Sequence, residues 1–397
     1  MARIIITGGG IGGLTAALCC LRHGHEVAVL EQAARLSEVG AGIQISPNAM
    51  KVFEALGVDR DLIASGFLPE AIELRMGVSG MELIRAKLGN VALERWGAPY
   101  LHIHRADLLQ ILERAVTERA PDAIRLGQRV TGYVQHDNGI SAVLTDENRV
   151  SGDVLIGADG IHSAVRAQML GPDQPTFTGN VAWRAVVPVE RLGDNRPNPV
   201  AGAWMGRGKH AVTYLLRGGK LANFVGVIER DDWTTESWSE QGSREDALRD
   251  FAGWHPAITH MIEASDTLYR WALFDRPPLE TWTEGRAALL GDAAHPMLPF
   301  LAQGAAMAAE DAWALAASLS KDRPVPEALK AYQDIRYNRA SGAQAGSRAN
   351  AKTFHQSTSL GRLKTYGPMW LAGRFAPGMV HQRQDWLYGY DIVREAT

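Results

Sequence analysis

Three glycines and one acid near the start of the chain have the types and spacing to hold a charged nucleotide. Gly8-x-Gly10-x-x-Gly13 follows the apolar run Ile4-Ile5-Ile6-Thr7 and opens into Leu14-Thr15-Ala16-Ala17-Leu18. In such a pattern the first glycine permits a tight turn, the second lets backbone approach a pyrophosphate, and the third lets helix and strand pack closely. The helix start adds unpaired N–H groups and a positive dipole end, both of which favour an anion. In a chain with 41 glycines the pattern alone is weak. It gains weight from a second strand, 26–30, ending in Glu31. A carboxylate there accepts hydrogen bonds from an adenosine ribose. The bland alternative is an ordinary βαβ unit with an acid at a strand end. A dinucleotide accounts for the whole set better. Arg105, at a strand-to-helix junction, is a candidate phosphate contact, and a solvated structural arginine is the competing reading.

Other chemistry is thinly represented. The two cysteines, Cys19 and Cys20, are neighbours on the first helix and point about 100° apart, which suits core packing rather than a redox or metal pair. The twelve histidines form no ligand constellation, and no metal is expected; His102 and His104 read as alternating strand residues. A net charge of −3 gives no reason to expect nucleic acid or membrane lipid as a partner. No run of about 18 uncharged apolar residues occurs, and the first apolar stretch breaks into glycines too soon for a signal peptide, so the cytoplasm is expected.

The elements that must position these residues fall into an α/β order. With 397 residues and 46% apolar content, two fused domains with ample core are expected. A glycine-rich loop, 38–48, precedes a helix over 49–56, and a second helix runs from 106 to about 118. Strands at 129–136 and 140–145 flank an Asn138-Gly139 hairpin signal. Asp153 to Gly160 reads as a buried strand ending in a Gly/Asp turn. From 172 the pattern becomes antiparallel strands, at 177–189, 200–205, 210–217 and 221–229, followed by helices at 243–252 and 256–264. Ala287 to Asp292 returns to the style of a parallel strand and runs into a helix from Gly304 to Leu319. The expected division is a Rossmann-like domain at 1–171 and 276–330, an inserted sheet domain at 172–275, and a helical region at 331–397. The aromatic tail Trp386-Leu387-Tyr388-Gly389-Tyr390-Asp391 is expected to pack down.

Three motifs in this order resemble the class A flavoprotein aromatic monooxygenases, the family of para-hydroxybenzoate hydroxylase. They are the Gly8–Gly13 fingerprint with Glu31, the Asp159-Gly160 element, and Gly291-Asp292 with its following helix. Finer texture is similar to the single-component hydroxylases of salicylate, 3-hydroxybenzoate and 6-hydroxynicotinate. It lies in Gly40-Ala41-Gly42-Ile43-Gln44-Ile45-Ser46-Pro47-Asn48, His104-Arg105-Ala106-Asp107-Leu108, Gly291-Asp292-Ala293-Ala294-His295-Pro296 and Gln303 to Ala312. The resemblance implies non-covalent FAD, with Gly8, Gly10 and Gly13 at the pyrophosphate, Glu31 at the ribose and Arg105 adding contacts. Asp292 would take the ribityl and pyrophosphate end, and the Gly304 helix would point at the flavin ring. No second nucleotide fingerprint is present, so NADH or NADPH would bind transiently past Asp159 and Arg166.

The activity so implied is oxygen transfer from O2, through a flavin C4a-hydroperoxide, to a small phenolic or hydroxypyridine carboxylic acid. A reductase or dehydrogenase on the same fold that inserts no oxygen is the alternative. His210, Val212 and Tyr214 alternate on one strand and share a face. His210 is then the preferred base for the phenol, and Tyr214 the group that holds a hydroxyl or carboxylate. The loop His295-Pro296-Met297-Leu298-Pro299-Phe300 would wall the pocket, with Pro299 counted among the catalytic residues. Here the chain departs from its relatives: 6-hydroxynicotinate enzymes tend to have histidine at the positions of Phe300 and Gln44, and the 3-hydroxybenzoate type glutamine at Pro299. The substrate and its decarboxylation stay open, as does a homodimer.

Overall fold

The computed structural model describes residues 1–36, 41–230, 240–376 and 378–396. The start of the glycine-rich loop, Glu38-Val39-Gly40, lies outside the described residues.

Ile4, Ile5 and Ile6 are fully buried, as a strand covered on both faces must be. Strand Arg3–Thr7 pairs in parallel with Glu26–Leu30 on one side and Val154–Gly157 on the other. Ala287–Leu289 adds in parallel outside Val154–Gly157. Thr283–Glu284 and Ile124–Arg125 close the two edges of this six-stranded sheet. The first domain is therefore made from both ends of the chain's middle excursion. Helix Ile11–Arg22 follows the fingerprint and packs against helix Gly304–Leu319. Small residues permit that approach: a Cβ on Gly12 would meet the Ala308 methyl at 3.3 Å.

The second sheet has eight strands, in the order Gln241–Gly242, Leu268–Asp275, Thr176–Pro188, Leu221–Glu229, Lys209–Leu216, Ala201–Gly206, Ala71–Met76 and Glu82–Lys87. Its last two strands come from before residue 172, and Ala71–Met76 pairs in parallel with Ala201–Gly206 in an otherwise antiparallel sheet. Alternation gives the sheet two distinct faces. On the outer one Trp183, Phe224, Phe251, Ile258 and Met261 form a core beneath helices Arg244–Asp250 and Pro256–Glu263. On the inner one Ala182, Val227, Trp271 and Leu273 meet Leu298 and Phe300 from the first domain's loop.

A 30-residue helix, Val325–Phe354, leads into Ser359–Phe375, Gly378–Tyr388 and Ile392–Glu395. The aromatic tail does pack: Leu387 and Tyr388 are buried, and Lys51 donates to the Gly389 and Tyr390 carbonyls at 3.0 and 2.9 Å. Trp386 stays about half exposed. Among the described residues no helix is long and apolar enough to cross a membrane, and no group of residues could hold a metal ion.

Candidate active site

The fingerprint loop is shaped by backbone rather than side chains. Gly8 has φ +98°, a conformation that L side chains rarely adopt, and a Cβ there would run into the Ala158 carbonyl. A Cβ on Gly13 would run into the Gly8 carbonyl. Gly10 differs: a Cβ there meets nothing within 4 Å, so the space beside it is open for a ligand. Helix Ile11–Arg22 starts at Gly10 with no side-chain cap and no acid in its first turn, which leaves its positive end facing that space. Glu31 is locked beside it. Its two oxygens accept from the Gly9 and Ala33 N–H groups at 2.6 and 2.8 Å.

A second anion-friendly start lies across the cleft. Helix Gly304–Leu319 also begins without a side-chain cap or an early acid. Asp292 Oδ1 lies 3.9 Å from where a Gly304 Cβ would sit. Asp292 is solvent-accessible yet surrounded by protein, as a side chain lining an internal cleft should be. Those surroundings raise its carboxyl, while the charges of His295 and Arg105 pull it down. These features fit a dinucleotide whose phosphates meet the first helix and whose ring end meets the second.

Below the second helix lies a buried charge network that holds it in place. His295 Nε2 meets Asp311 Oδ2 at 2.5 Å, Arg336 reaches both Asp311 and Glu310, and Arg339 closes on Glu310. Asn48 and Gln303 extend it to the glycine-rich loop, with Asn48 Nδ2 2.6 Å from Glu310 Oε1. Burial alone would raise the Asp311 carboxyl, but His295 and Arg336 hold it below the usual range.

The inner face of the second sheet supplies the reactive side chains. His210 is 1% exposed, with its ring 5.1 Å from Phe300. Burial, then the charge of His355, hold its imidazole well below its ordinary pKa, so it is neutral near pH 7. Val212 pairs with Val225 and Val225 with Arg184, which puts a half-buried arginine in the row next to His210. The Arg184 guanidinium stacks over Trp271 at 4.9 Å. Tyr214, one row further, packs on His102 with ring centroids 4.7 Å apart and against Gly42, whose N–H donates to Asn223. Burial raises its phenol strongly, so it remains a neutral donor.

Residues 1–347 match the family model described as FAD binding domain. The chain is 38% identical over 354 residues to the 3-amino-4-hydroxybenzoate 2-monooxygenase PtmB3 of Streptomyces platensis, covering 89% of this chain and 88% of that one. It is 35% identical to 3-hydroxybenzoate 6-hydroxylase 1 of Aquipseudomonas alcaligenes, covering 99% of each. Among solved structures, Klebsiella pneumoniae HpxO complexed with FAD and uric acid superposes with a TM-score of 0.86 at 28% identity, covering 98% and 97%. The chain belongs to the FAD-binding class A aromatic hydroxylases. It is an FAD-dependent aromatic-ring monooxygenase, in a family whose members use NAD(P)H and O2.

As a class A hydroxylase the protein brings Gly8, Gly10, Gly13 and Glu31 together around the first helix start, and Asp292 beside Gly304 at the second, where the charge of Arg105 also acts on Asp292. Asp159 stands at a helix start. Its Oδ2 accepts from the Ala164 and Val165 N–H groups, which caps helix Ala164–Leu170. Arg166 is 3% exposed and pins the Ala293 carbonyl at 3.1 Å, so it is enclosed rather than set along an entry path. Pro299 is exposed at the start of the turn Pro299–Leu301, and Phe300, not Pro299, touches His210. Sequence reasoning missed Arg184, His355 and the Glu310-Asp311-Arg336 network. Period-two counting from the sheet pattern could have flagged Arg184; the other two depend on contacts between distant helices.

Proposed function

We propose that the protein hydroxylates a small phenolic or hydroxypyridine carboxylic acid held between the inner face of the second sheet and the loop 296–301. The observation that carries this is the row of side chains on that face: neutral His210 against Phe300, then Arg184, then Tyr214. Bound FAD would supply electrons taken from NAD(P)H, with NADH favoured, and activated oxygen. The protein's own part is to exclude water with Leu298, Phe300 and Val227, to draw the phenol proton toward His210, and to hold the acid end by Arg184 and Tyr214. Four residues along a strand separate His210 and Tyr214 by about 13 Å. A ring spanning that distance carries its hydroxyl and its acid group meta or para, which favours a 3- or 4-hydroxybenzoate pattern over salicylate. Relatives named for 3-hydroxybenzoate and 3-amino-4-hydroxybenzoate support such a substrate.

A panel of hydroxybenzoates and hydroxypyridines, screened for accelerated NADH oxidation under 18O2 with products identified by mass, tests the reading. One labelled oxygen in a ring product of a meta or para acid is expected. Stimulated NADH oxidation that yields hydrogen peroxide alone across the whole panel would instead make the protein a non-hydroxylating reductase.

A further inference from the structure

His210 does not end in the hydrophobic wall. Its Nδ1 lies 2.6 Å from Nε2 of His355, the residue that closes helix Val325–Phe354. The other ring nitrogen of His355, Nδ1, lies 3.1 Å from Glu229 Oε1. The His355 side chain is 3% exposed and that of Glu229 is 53% exposed. Three side chains from two strands and a helix end thus run unbroken from the buried sheet face to solvent. Glu229 opens into a surface cavity of about 420 Å³ lined by Arg207, Lys209, Arg230, Arg249 and Asp250. Lys209 is tied there to the Asp250 carbonyl, and Arg230 approaches the Asp250 carboxylate at 3.7 Å.

One arrangement of protons fits this chain. A carboxylate only accepts, so His355 carries its proton on Nδ1 and gives it to Glu229. His355 Nε2 is then a lone pair, and at 2.6 Å it requires the proton on His210 Nδ1. That leaves His210 Nε2 as a lone pair. The surface carboxylate, acting through His355, sets the buried histidine in the tautomer that can accept a proton, a task that an orienting partner commonly performs for a catalytic imidazole.

We propose that Glu229, His355 and His210 form a proton wire that carries the phenol proton of a bound substrate from the sheet face to the surface cavity. The proposal rests on the hydroxylase reading for its donor. The substrate O–H bond breaks as its proton goes to His210 Nε2; His210 Nδ1–H passes to His355 Nε2; His355 Nδ1–H passes to Glu229 and on to water. One proton enters, one leaves, and both imidazoles end neutral with the proton on Nε2. The reverse shift restores the starting tautomers: a proton from water passes through Glu229 to His355 Nδ1, His355 Nε2–H passes to His210 Nδ1, and His210 Nε2–H goes to the ring oxygen of the product as it leaves. A histidine pair buried only to satisfy itself would need no such exit. His355 and Glu229 are positioning residues here, and His210 is the group that meets the substrate.

The test uses the FAD-loaded protein and two variants, Glu229→Leu and His355→Gly. Nitrogen NMR of the histidine rings, without substrate, reads the tautomers: the parent is expected to show Nδ1–H at both His210 and His355, and Glu229→Leu to lose that preference at both. Unchanged tautomers in Glu229→Leu overturn the wire. The second arm follows hydroxylation of 3-hydroxybenzoate, or whichever panel member the parent turns over. Loss of His355 should slow product formation by about 10- to 100-fold. FAD retention and flavin reduction by NADH should hold, and added imidazole should restore much of the rate. Failure of imidazole to rescue a folded, yellow His355→Gly protein would mark His355 as packing and sink the proposal. If the parent hydroxylates nothing in the panel, the functional reading falls, while the tautomer measurement still decides the wire.

Discussion

The nucleotide end of the cleft is shaped by backbone, whereas the sheet face is shaped by side chains. Gly8, Gly10 and Gly13 shape a loop, and two uncapped helix starts face the space where the cofactor's charges would lie. His210, Arg184 and Tyr214 instead project from strands whose register brings them onto one face in successive rows. Backbone geometry is a generic tool that serves one cofactor across many proteins. A strand face can be re-lettered position by position while its register stays fixed, so substrate choice can change without disturbing the cradle. Lesions at the two ends should therefore have different signatures: lost colour at one, lost coupling at the other.

The largest expected effect is at the sheet face. His210→Ala should lower product formation by about 10²–10⁴-fold while the protein stays yellow and still consumes NADH, the missing oxygen appearing as hydrogen peroxide. Stopped-flow reduction and product yield on the same variant check it; tight coupling would make His210 a core histidine. Next comes the floor beneath the cradle. Arg336→Ala removes the cation shared by the buried Glu310 and Asp311, leaving Glu310 to Arg339 and Asp311 to His295, and should destabilise the protein by about 3–5 kcal/mol, read from denaturant midpoints. The seam between the two regions should respond to acid. Burial pushes the His102 imidazole down to about 3, so between that pH and about 6.5 the unfolded chain binds a proton that the folded one refuses. Stability should then fall as pH drops through this window, and His102→Gln should flatten the slope of Tm against pH. At the cradle, Glu31→Gln removes a charged acceptor contributing roughly 1.5–3 kcal/mol, so FAD affinity should weaken by about ten- to a hundredfold with the fold intact. Smallest is Tyr214→Phe, expected to raise KM a few-fold with kcat nearly unchanged, because only an orienting hydroxyl is lost. A large drop in kcat would move Tyr214 into the chemistry and blur the division between the two ends.

The cradle was legible in sequence because its parts are local. Strand, glycine turn, helix and acid lie within residues 3–31, and the spacing itself carries the geometry. The sheet strands between 176 and 229 were also legible from alternation, which put His210, Val212 and Tyr214 on one face before any fold was known. What alternation cannot give is the neighbour. Nothing local says that Ala71–Met76 joins Ala201–Gly206, since that pairing depends on which edge is free once both segments are folded. Asp159 was expected near the path of the transient nucleotide on the strength of the family resemblance, and sequence alone does not show that its Oδ2 accepts from the Ala164 and Val165 N–H groups. His355 was invisible for a related reason: its meaning comes from a 2.6 Å contact across 145 residues of sequence.

The parallel pairing of Ala287–Leu289 with Val154–Gly157 also sets a schedule for synthesis. The strand that completes the first sheet is made 130 residues after its neighbour, and six of the second sheet's eight strands are translated in between. At 5–20 residues per second the ribosome takes roughly 6–26 s to cover that distance. For that interval the apolar strand Val154–Gly157 has an open edge, while the emerging inserted sheet offers eligible strand partners. The helix Gly304–Leu319, which carries one of the two anion-facing starts, comes later still. The cofactor can therefore be gripped at both ends only after residue 304 has left the ribosome, and FAD supply during expression should influence how much chain reaches the native state rather than merely how much of it is yellow.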